Sequence, residues 1–384
     1  MDSDCIMEGK AKIMISTKGS KIFFNPQARF SRSVGVVASA AEGKIKSKQL
    51  MVADVFSATG VRGIRYFLES GVISLLYLND ASPEAARVSE ENAVINGILN
   101  YTRTSNTEAN SFLANCAAKG ERFDLVDIDP FGSPAAYLDE ALSAARRDGL
   151  VAITATDLAP LCGLHRSATL RRYGSLPIHS EFCHEVASRI LIHSMVRSCG
   201  RKSLLPEVQL TVFSEQYIRV YMRVKPGRAA FPHNAVGHIH HCFKCHHTSH
   251  MKFDECTTLP KCPMCGFKTS PAGPLWLGPL HSVDFIEEME RNLDVLVEEG
   301  DRRRLARYLP LFAEENLYPP YFFDVTRTAD RLDIRTPRIM RVVEILRSKG
   351  FKASRTHFKA SGVKTDASYH EFKDTVREAL STKQ

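Results

Sequence analysis

The sequence predicts an α/β protein: a mostly parallel sheet flanked by helices over residues 1–228, then a smaller α+β unit over 229–384. Three observations carry this. From Leu50 to Thr154, short apolar runs alternate with stretches of helical periodicity, as parallel strands joined by crossover helices do. Residues 207–213 and 217–224 are rich in β-formers and read as an antiparallel hairpin that closes the sheet. Lys225-Pro226-Gly227 then breaks the pattern, and two Cys-x-x-Cys pairs and a basic stretch follow.

The elements run as follows. Residues 10–24 alternate loosely through Ile13, Ile15, Ile22 and Phe24 and predict a hairpin turning at Lys18-Gly19-Ser20. Phe23-Phe24-Asn25-Pro26 comes next, then Arg29, Arg32 and a helix opening over 34–41. Residues 50–56 read as a buried strand, ending in the loop Ser57-Ala58-Thr59-Gly60-Val61-Arg62-Gly63 before a helix from Ile64. Residues 74–78 give a second strand closed by Asn79-Asp80, and Ser82-Pro83 starts a helix with an N-cap serine and a first-turn proline. A polar loop over 106–110 leads into a helix over 111–118. Then come a strand over 123–129, a helix over 135–147, a strand over 149–154 and a helix over 181–199. Beyond the cysteines, 281–310 is helical. Residues 322–332 and 337–348 predict helices and 352–358 a strand, so 320–384 reads as a winged-helix-like segment.

Composition narrows the class. With 44% hydrophobic and 24% charged residues the chain is an ordinary globular one. No run approaches the roughly 18 apolar residues of a membrane helix. Residues 1–12 carry acids and no apolar run, so no secretory signal is expected. Ten cysteines in such a chain point to metal and a reducing compartment, hence the cytoplasm. A net charge of +8 permits a polyanionic partner. The basic residues crowd between Arg331 and Lys364, which suits RNA backbone contacts but equally a solvated basic face. No obligate protein partner is indicated.

The chemistry centres on Asp127-Ile128-Asp129-Pro130-Phe131-Gly132. An acid, a proline and an aromatic at a strand's carboxyl end set an acceptor beside a stacking surface, which suits a planar base bearing an exocyclic amine. Asp-Pro is also common turn chemistry. The upstream loops weigh against a mere turn, because doubly wound sheets bind ligands at their carboxyl edge. Asp54 lies inside the first strand, Gly60 allows close backbone approach, and Asp80 ends the second strand where a carboxylate can accept ribose hydroxyls. Glu108-Ala109 opens the third loop, in position for an adenine edge. A pyrophosphate cradle is missing, which disfavours a dinucleotide. This order resembles class I (Rossmann-like) S-adenosylmethionine methyltransferases.

Cys242-x-x-Cys245 and Cys262-x-x-Cys265 are two knuckles joined by residues 246–261, the spacing of a structural zinc site within 238–267. Four thiolates close the metal's shell and leave no catalytic position. The neighbouring His238, His240, His241, His246, His247 and His250 are expected mainly at solvent, and Cys256 sits at no ligand spacing.

The chain further resembles the tRNA guanine-26 N2-methyltransferase/dimethyltransferase family, archaeal type. The stretches that carry this are Phe23-Phe24-Asn25-Pro26, Ser57 to Arg65, Asn79-Asp80, Asp127 to Pro134, Thr154-Ala155-Thr156-Asp157, Leu161-Cys162-Gly163, Cys183-His184-Glu185, Gly273 to Leu280, Arg355-Thr356-His357-Phe358 and Gly362-Val363-Lys364-Thr365. The resemblance implies methyl transfer from S-adenosylmethionine to the N2 amine of guanine 26 in tRNA, giving N2-methyl- and N2,N2-dimethylguanosine. It assigns the cofactor to Arg32, Arg62, Asp80, Glu108 and Ala109, beside Asp54 and Gly60 from the loop reading. It assigns the guanine amine to Asp129, Pro130 and Phe131, with Phe23 lining the transfer pocket. It makes 229–384 the tRNA-binding part, where Arg355, His357 and Lys364 are the expected RNA contacts. The family has an acid where this chain has Ser33, which implies that Arg32 lacks its adjacent carboxylate. Two alternatives stand beside this reading: an exocyclic-amine methyltransferase acting on rRNA or DNA, and a nucleic-acid-binding protein with an inactive α/β domain.

Overall fold

The computed structural model describes residues 5–17, 20–214, 216–227, 232–255 and 261–381. The chain opens with the hairpin β1 (Cys5–Glu8) and β2 (Ala11–Met14), which turns at Gly9 with a φ of +58°. The expected turn at Lys18-Gly19 lies outside the described residues. Short strands β3 (Ser16–Thr17) and β4 (Ser20–Lys21) pair on either side of it. Helix α1 (Arg29–Lys46) is longer than expected and buried along most of its length, because Gly35, Ala38, Ser39, Ala40 and Ala41 let its neighbours approach closely.

A seven-stranded sheet follows. Its strands are β5 (Leu50–Asp54), β6 (Ile73–Asn79), β7 (Thr102–Ser105), β8 (Phe123–Ile128), β9 (Ala145–Ala155), β10 (Leu204–Ser214) and β11 (Tyr217–Pro226). Across the sheet the order is β10-β11-β9-β8-β5-β6-β7. The first five strands in sequence are parallel, and the β10–β11 hairpin runs antiparallel at one edge. The chain winds outward from β5 through β6 to β7, then returns to lay β8 on the other side of β5. That reversal opens a crevice at the carboxyl ends of β5 and β8. The pairing sets Asp54 directly opposite Asp127.

The connecting helices are α2 (Val61–Ser70), α3 (Pro83–Ile95), α4 (Ala109–Ala118), α5 (Leu138–Ala144), α6 (Leu158–Leu161), α7 (Arg166–Tyr173) and α8 (Cys183–Arg201). The helix expected to reach residue 147 stops at Ala144. Ala145 already pairs with Phe123, and Arg146 is tied to Asp124 and to the carbonyl of Arg122, so the chain goes extended early.

Strand alternation splits the core between the two faces of the sheet. Val126 and Ile128 point to one side and pack with α8 residues such as Ile190 and Leu191. Leu125 points to the other and packs with Val34, Val37 and Ile64. Both cores continue past residue 228. Ile239, Leu275 and Trp276 join the first, while Phe285, Met289, Leu305 and Phe312 join the second.

The later residues come from β12 (Val236–His241), β13 (Thr248–Lys252) and β14 (Ser270–Trp276), which form a three-stranded sheet, and from α9 (Val283–Arg291) and α10 (Glu299–Glu315), which lie against α1. The C-terminal part comprises β15 (Phe323–Asp324), α11 (Val325–Arg331), α12 (Ile339–Ser348), β16 (Ala353–Thr356), β17 (Lys359–Thr365) and α13 (Tyr369–Ser381) around its own apolar cluster. The helix expected from residue 322 starts later. Asp324 ends a strand there and caps α11, accepting from the amides of Thr326 and Arg327. Among the described residues no helix is long and apolar enough to cross a membrane.

Candidate active site

Proline after Asp129 ends β8 at the mouth of the crevice. The loop is then cinched to the end of β9: the Gly132 amide donates to Thr156 Oγ1 at 2.8 Å, and the Thr156 amide donates to the Gly132 carbonyl at 2.9 Å. So held, Phe131 is 80% exposed and meets Phe23, itself 55% exposed, edge to face with ring centroids 4.6 Å apart. Two large rings presented to water at one spot form a binding surface rather than a core contact.

Two cavities open there. One, of about 720 Å³, is lined by Asn25, Ser31, Thr154, Thr156, Tyr217 and Arg304. The other, of about 430 Å³, is lined by Ser57, Ala58, Thr59, Val61, Asp80 and Ser82. Phe23, Arg32, Asp129, Pro130 and Phe131 line both, so the Asp129–Phe131 loop is their shared wall.

A buried network of charge fixes that wall. Asp129, with a quarter of its side chain exposed, is ion-paired to buried Arg62. Asp127, fully buried behind it, pairs with Arg219 and accepts from the Tyr66 hydroxyl at 2.8 Å. Arg219 also donates to Thr154 Oγ1 at 2.6 Å and to the Tyr221 hydroxyl at 2.7 Å. Tyr66 reaches this point because α1 carries glycine at position 35, where a Cβ would lie 2.0 Å from its hydroxyl. Burial would raise the pKa of Asp129, but Arg62 and Arg219 outweigh it and hold the group below the usual carboxylate range. Asp129 is therefore an ionised acceptor at neutral pH. Asp54 behaves oppositely: burial and then Asp127 push it up to about 7.

The other expected cofactor residues fall into two groups. Asp80 lines the smaller cavity and shapes it, accepting from the amides of Ala58 and Ser82, both at 2.9 Å. Arg62 and Arg32 line it as well. Asp54 is buried beneath, accepting the Gly63 amide at 3.0 Å and so capping the first turn of α2. Gly60 takes a φ of +78° at the N-cap of α2, which glycine adopts without strain. Glu108 and Ala109 are not among the residues lining either cavity; Glu108 caps α4 by accepting from the Ser111 amide.

Arg32 corrects an expectation. It does not lack a carboxylate, because Glu8 of β1 forms a two-pronged pair with it. Ser33 donates instead to Asp301 of α10 at 2.8 Å and accepts from Arg65 at 3.0 Å. Glu8, Asp301 and Arg304 escaped the sequence reading, since only tertiary packing brings them here.

The family described as N2,N2-dimethylguanosine tRNA methyltransferase matches residues 2–377. The chain belongs to this family. Among curated relatives, the tRNA (guanine(26)-N(2))-dimethyltransferase of Methanothermobacter thermautotrophicus is 35% identical over 359 residues, covering 92% of each chain. The Pyrococcus abyssi enzyme of that description is 34% identical, covering 97% of this chain and 98% of its own. The solved structure of Trm1 from Pyrococcus horikoshii with S-adenosyl-L-methionine superposes with a TM-score of 0.84 at 32% identity, covering 97% of this chain and 99% of that one.

In this family member the four cysteines fit a zinc ion. Sγ of Cys242 lies 3.5 Å from that of Cys265, and Sγ of Cys245 lies 3.5 Å from that of Cys262. Tetrahedral zinc with ~2.3 Å bonds needs sulfurs about 3.7 Å apart. Both knuckles make one turn. The Cys242 and Cys262 amides donate to the carbonyls of His247 and Phe267, and His246 and Gly266 adopt φ of +59° and +70° at matching places. Contrary to expectation, His240 and His241 are buried, and His241 Nδ1 bonds the Thr248 hydroxyl. Cys256 lies outside the described residues.

Of the expected RNA contacts, the structure leaves Arg355 exposed and moves two inside. Lys364 is buried on β17 and pairs with Glu185 of α8, which Arg189 also holds. His357 is buried against Glu315, and its Nε2 accepts from the Phe213 amide at 3.1 Å. Lys364 is fully enclosed.

Proposed function

We propose that this chain transfers methyl groups from S-adenosylmethionine to the exocyclic N2 amine of guanine 26 in tRNA, giving N2-methyl- and N2,N2-dimethylguanosine. The observation that carries this is the meeting of two ligand-sized cavities at Asp129–Phe131 in a member of this family. The smaller cavity, with Asp80, Arg62, Arg32 and the backbone of Ser57 to Thr59, suits the cofactor. The larger, with Phe23, Phe131 and the acceptors at Asp129 and Pro130, suits the base.

S-adenosylmethionine supplies an activated sulfonium methyl, so positioning is what the protein must add. The guanine amine is a weak nucleophile because its lone pair is delocalised into the ring. Asp129, held ionised by Arg62, accepts a hydrogen of N2, and the Pro130 carbonyl can take the other. Both draw the lone pair out of the ring plane toward the wall of the cofactor cavity. Phe23 and Phe131 make a corner for the base, which must leave its stack to arrive. Residues 1–228 carry the reaction and 229–384 hold the tRNA, with α10 reaching back to the base cavity through Arg304. Among the described residues the nine cysteines form no disulfide, in keeping with a cytoplasmic enzyme.

The test is incubation with labelled S-adenosylmethionine and unmodified tRNA bearing guanine at position 26, followed by digestion to nucleosides. Labelled N2-methyl- and N2,N2-dimethylguanosine are expected. Their absence with wild-type protein overturns the proposal.

A further inference from the structure

A third cavity, of about 350 Å³, lies between α10 and the loop joining β16 to β17. Arg304, Arg307, Tyr308 and Arg355 line it, together with Thr356 and His357. Arg304, Arg307 and Tyr308 stand on one face of α10 by helical spacing. Arg355 enters from β16 as the exposed residue between buried Ser354 and Thr356.

The state of these arginines is what distinguishes the cavity. Arg302 and Arg303, their neighbours on α10, are both ion-paired with Glu299. Arg304, Arg307 and Arg355 meet no carboxylate among the described residues. Arg304 instead lies over the Phe30 ring at 4.0 Å and donates to Ser214 Oγ at 3.3 Å, which orients its guanidinium without neutralising it. No acid is among the lining residues, and Glu315 of α10 is occupied by the His357 ring and backbone amide. Three unneutralised guanidinium groups around one cleft, that of Arg304 held in place, form an anion site, and arginine's fork matches phosphate oxygens in pairs.

Position selects the anion. Arg304 lines this cleft and the larger cavity at Asp129 alike, so the two open side by side. A base drawn into the larger cavity leaves its flanking phosphates at the mouth. We infer that Arg304, Arg307 and Arg355 form a phosphate cleft that grips the RNA backbone next to the extruded guanosine. This rests on the RNA-substrate reading above and adds to it where the strand is held. Phosphate contacts position without reading sequence, so the cleft sets the register that brings one guanine to Asp129.

The test uses the full-length protein and unmodified tRNA. Binding is measured across a salt series for wild type, Arg307→Ala/Arg355→Ala, Arg307→Lys/Arg355→Lys and the control Arg302→Ala/Arg303→Ala. Both targeted side chains are exposed, and equal thermal midpoints verify folding. Removing two phosphate contacts should weaken tRNA binding roughly tenfold at moderate salt and flatten the slope of log affinity against log salt by about 1.5. The KM for tRNA should rise while kcat at saturating tRNA and cofactor affinity stay within about twofold. The lysine pair should recover most of the slope, and the control should match wild type. An unchanged slope in the alanine pair, with wild type still methylating tRNA, overturns this inference alone. So does an alanine pair that loses inorganic phosphate binding but keeps the wild-type tRNA slope, which would assign the cleft to a free anion. A wild type that neither binds nor methylates tRNA refutes the proposed function itself.

Discussion

Two buried clusters of charge teach different lessons. Under the Asp129 loop, Asp127, Arg62, Arg219, Tyr66 and Thr154 form a network whose last member, Asp129, faces two cavities. On the other face of the sheet, Glu185, Arg189 and Lys364 form one that lines none of the three cavities. Arg189 donates to the carbonyls of Trp276 and Gly278, and Lys364 ties β17 to α8. Both are costly to desolvate and costly to break. The first spends its fixed charge on orienting an acceptor toward a ligand. The second joins three parts of the chain and seals itself. A charged side chain within a telling motif is thus a ligand contact only when its network ends on a cavity.

That contrast can be broken from either side. Asp129→Ala should lower kcat by about three orders of magnitude while tRNA binding persists, because it removes the acceptor from the shared wall. Steady-state methylation and a binding titration check it. Lys364→Met should do the reverse. It removes one of the two cations that hold buried Glu185, leaving Arg189, and should cost about 2 kcal/mol, read from the urea midpoint, with turnover per folded molecule unchanged. Phe131→Ala should reduce kcat/KM between about fivefold and a hundredfold, the ~1–3 kcal/mol of a base stacked on an aromatic ring.

The smallest effect is a pH dependence. Asp54 has its folded pKa raised from 3.8 to about 7, so between those values the folded state binds the extra proton. Its contribution therefore makes stability fall as pH rises from about 4 to 7. Asp129, Glu8 and Glu185 are shifted downward and act oppositely, losing stability only as pH falls through their lowered values. Asp54→Asn should remove the neutral-range decline. In chemical denaturation the variant's stability should rise relative to wild type's between pH 5 and pH 7.5, on top of the rise that buried histidines such as His193 and His281 give both proteins.

What the sequence disclosed follows the range of each interaction. The strand-end acids Asp80 and Asp129, the turn at Gly60 and the paired cysteines lie in local patterns, where a strand, a loop and a helix start follow one another. The cavity wall was legible for that reason. Glu8 and Arg32 lie on different elements, and Asp301 meets Ser33 from a helix 268 positions away. No local period announces such a partner. Lys364 and His357 were misplaced for a related reason: Lys364 stands where β17 is buried on both faces, and His357 follows β16 into packing against α10, which a run of basic residues does not reveal. Arg355, the exposed residue of β16, is the member of the trio left outside.

The most direct measurement is single-turnover methyl transfer by Asp129→Asn at saturating cofactor and tRNA. Asparagine keeps the shape of the wall but loses the charge, the pairing with Arg62 and half of the acceptor capacity. If Asp129 works as an ionised acceptor for the guanine amine, the rate of N2-methylguanosine formation falls at least a hundredfold with the tRNA dissociation constant unchanged. A rate within about threefold of wild type would contradict the account, leaving Asp129 a wall residue and placing amine orientation elsewhere in the cavity.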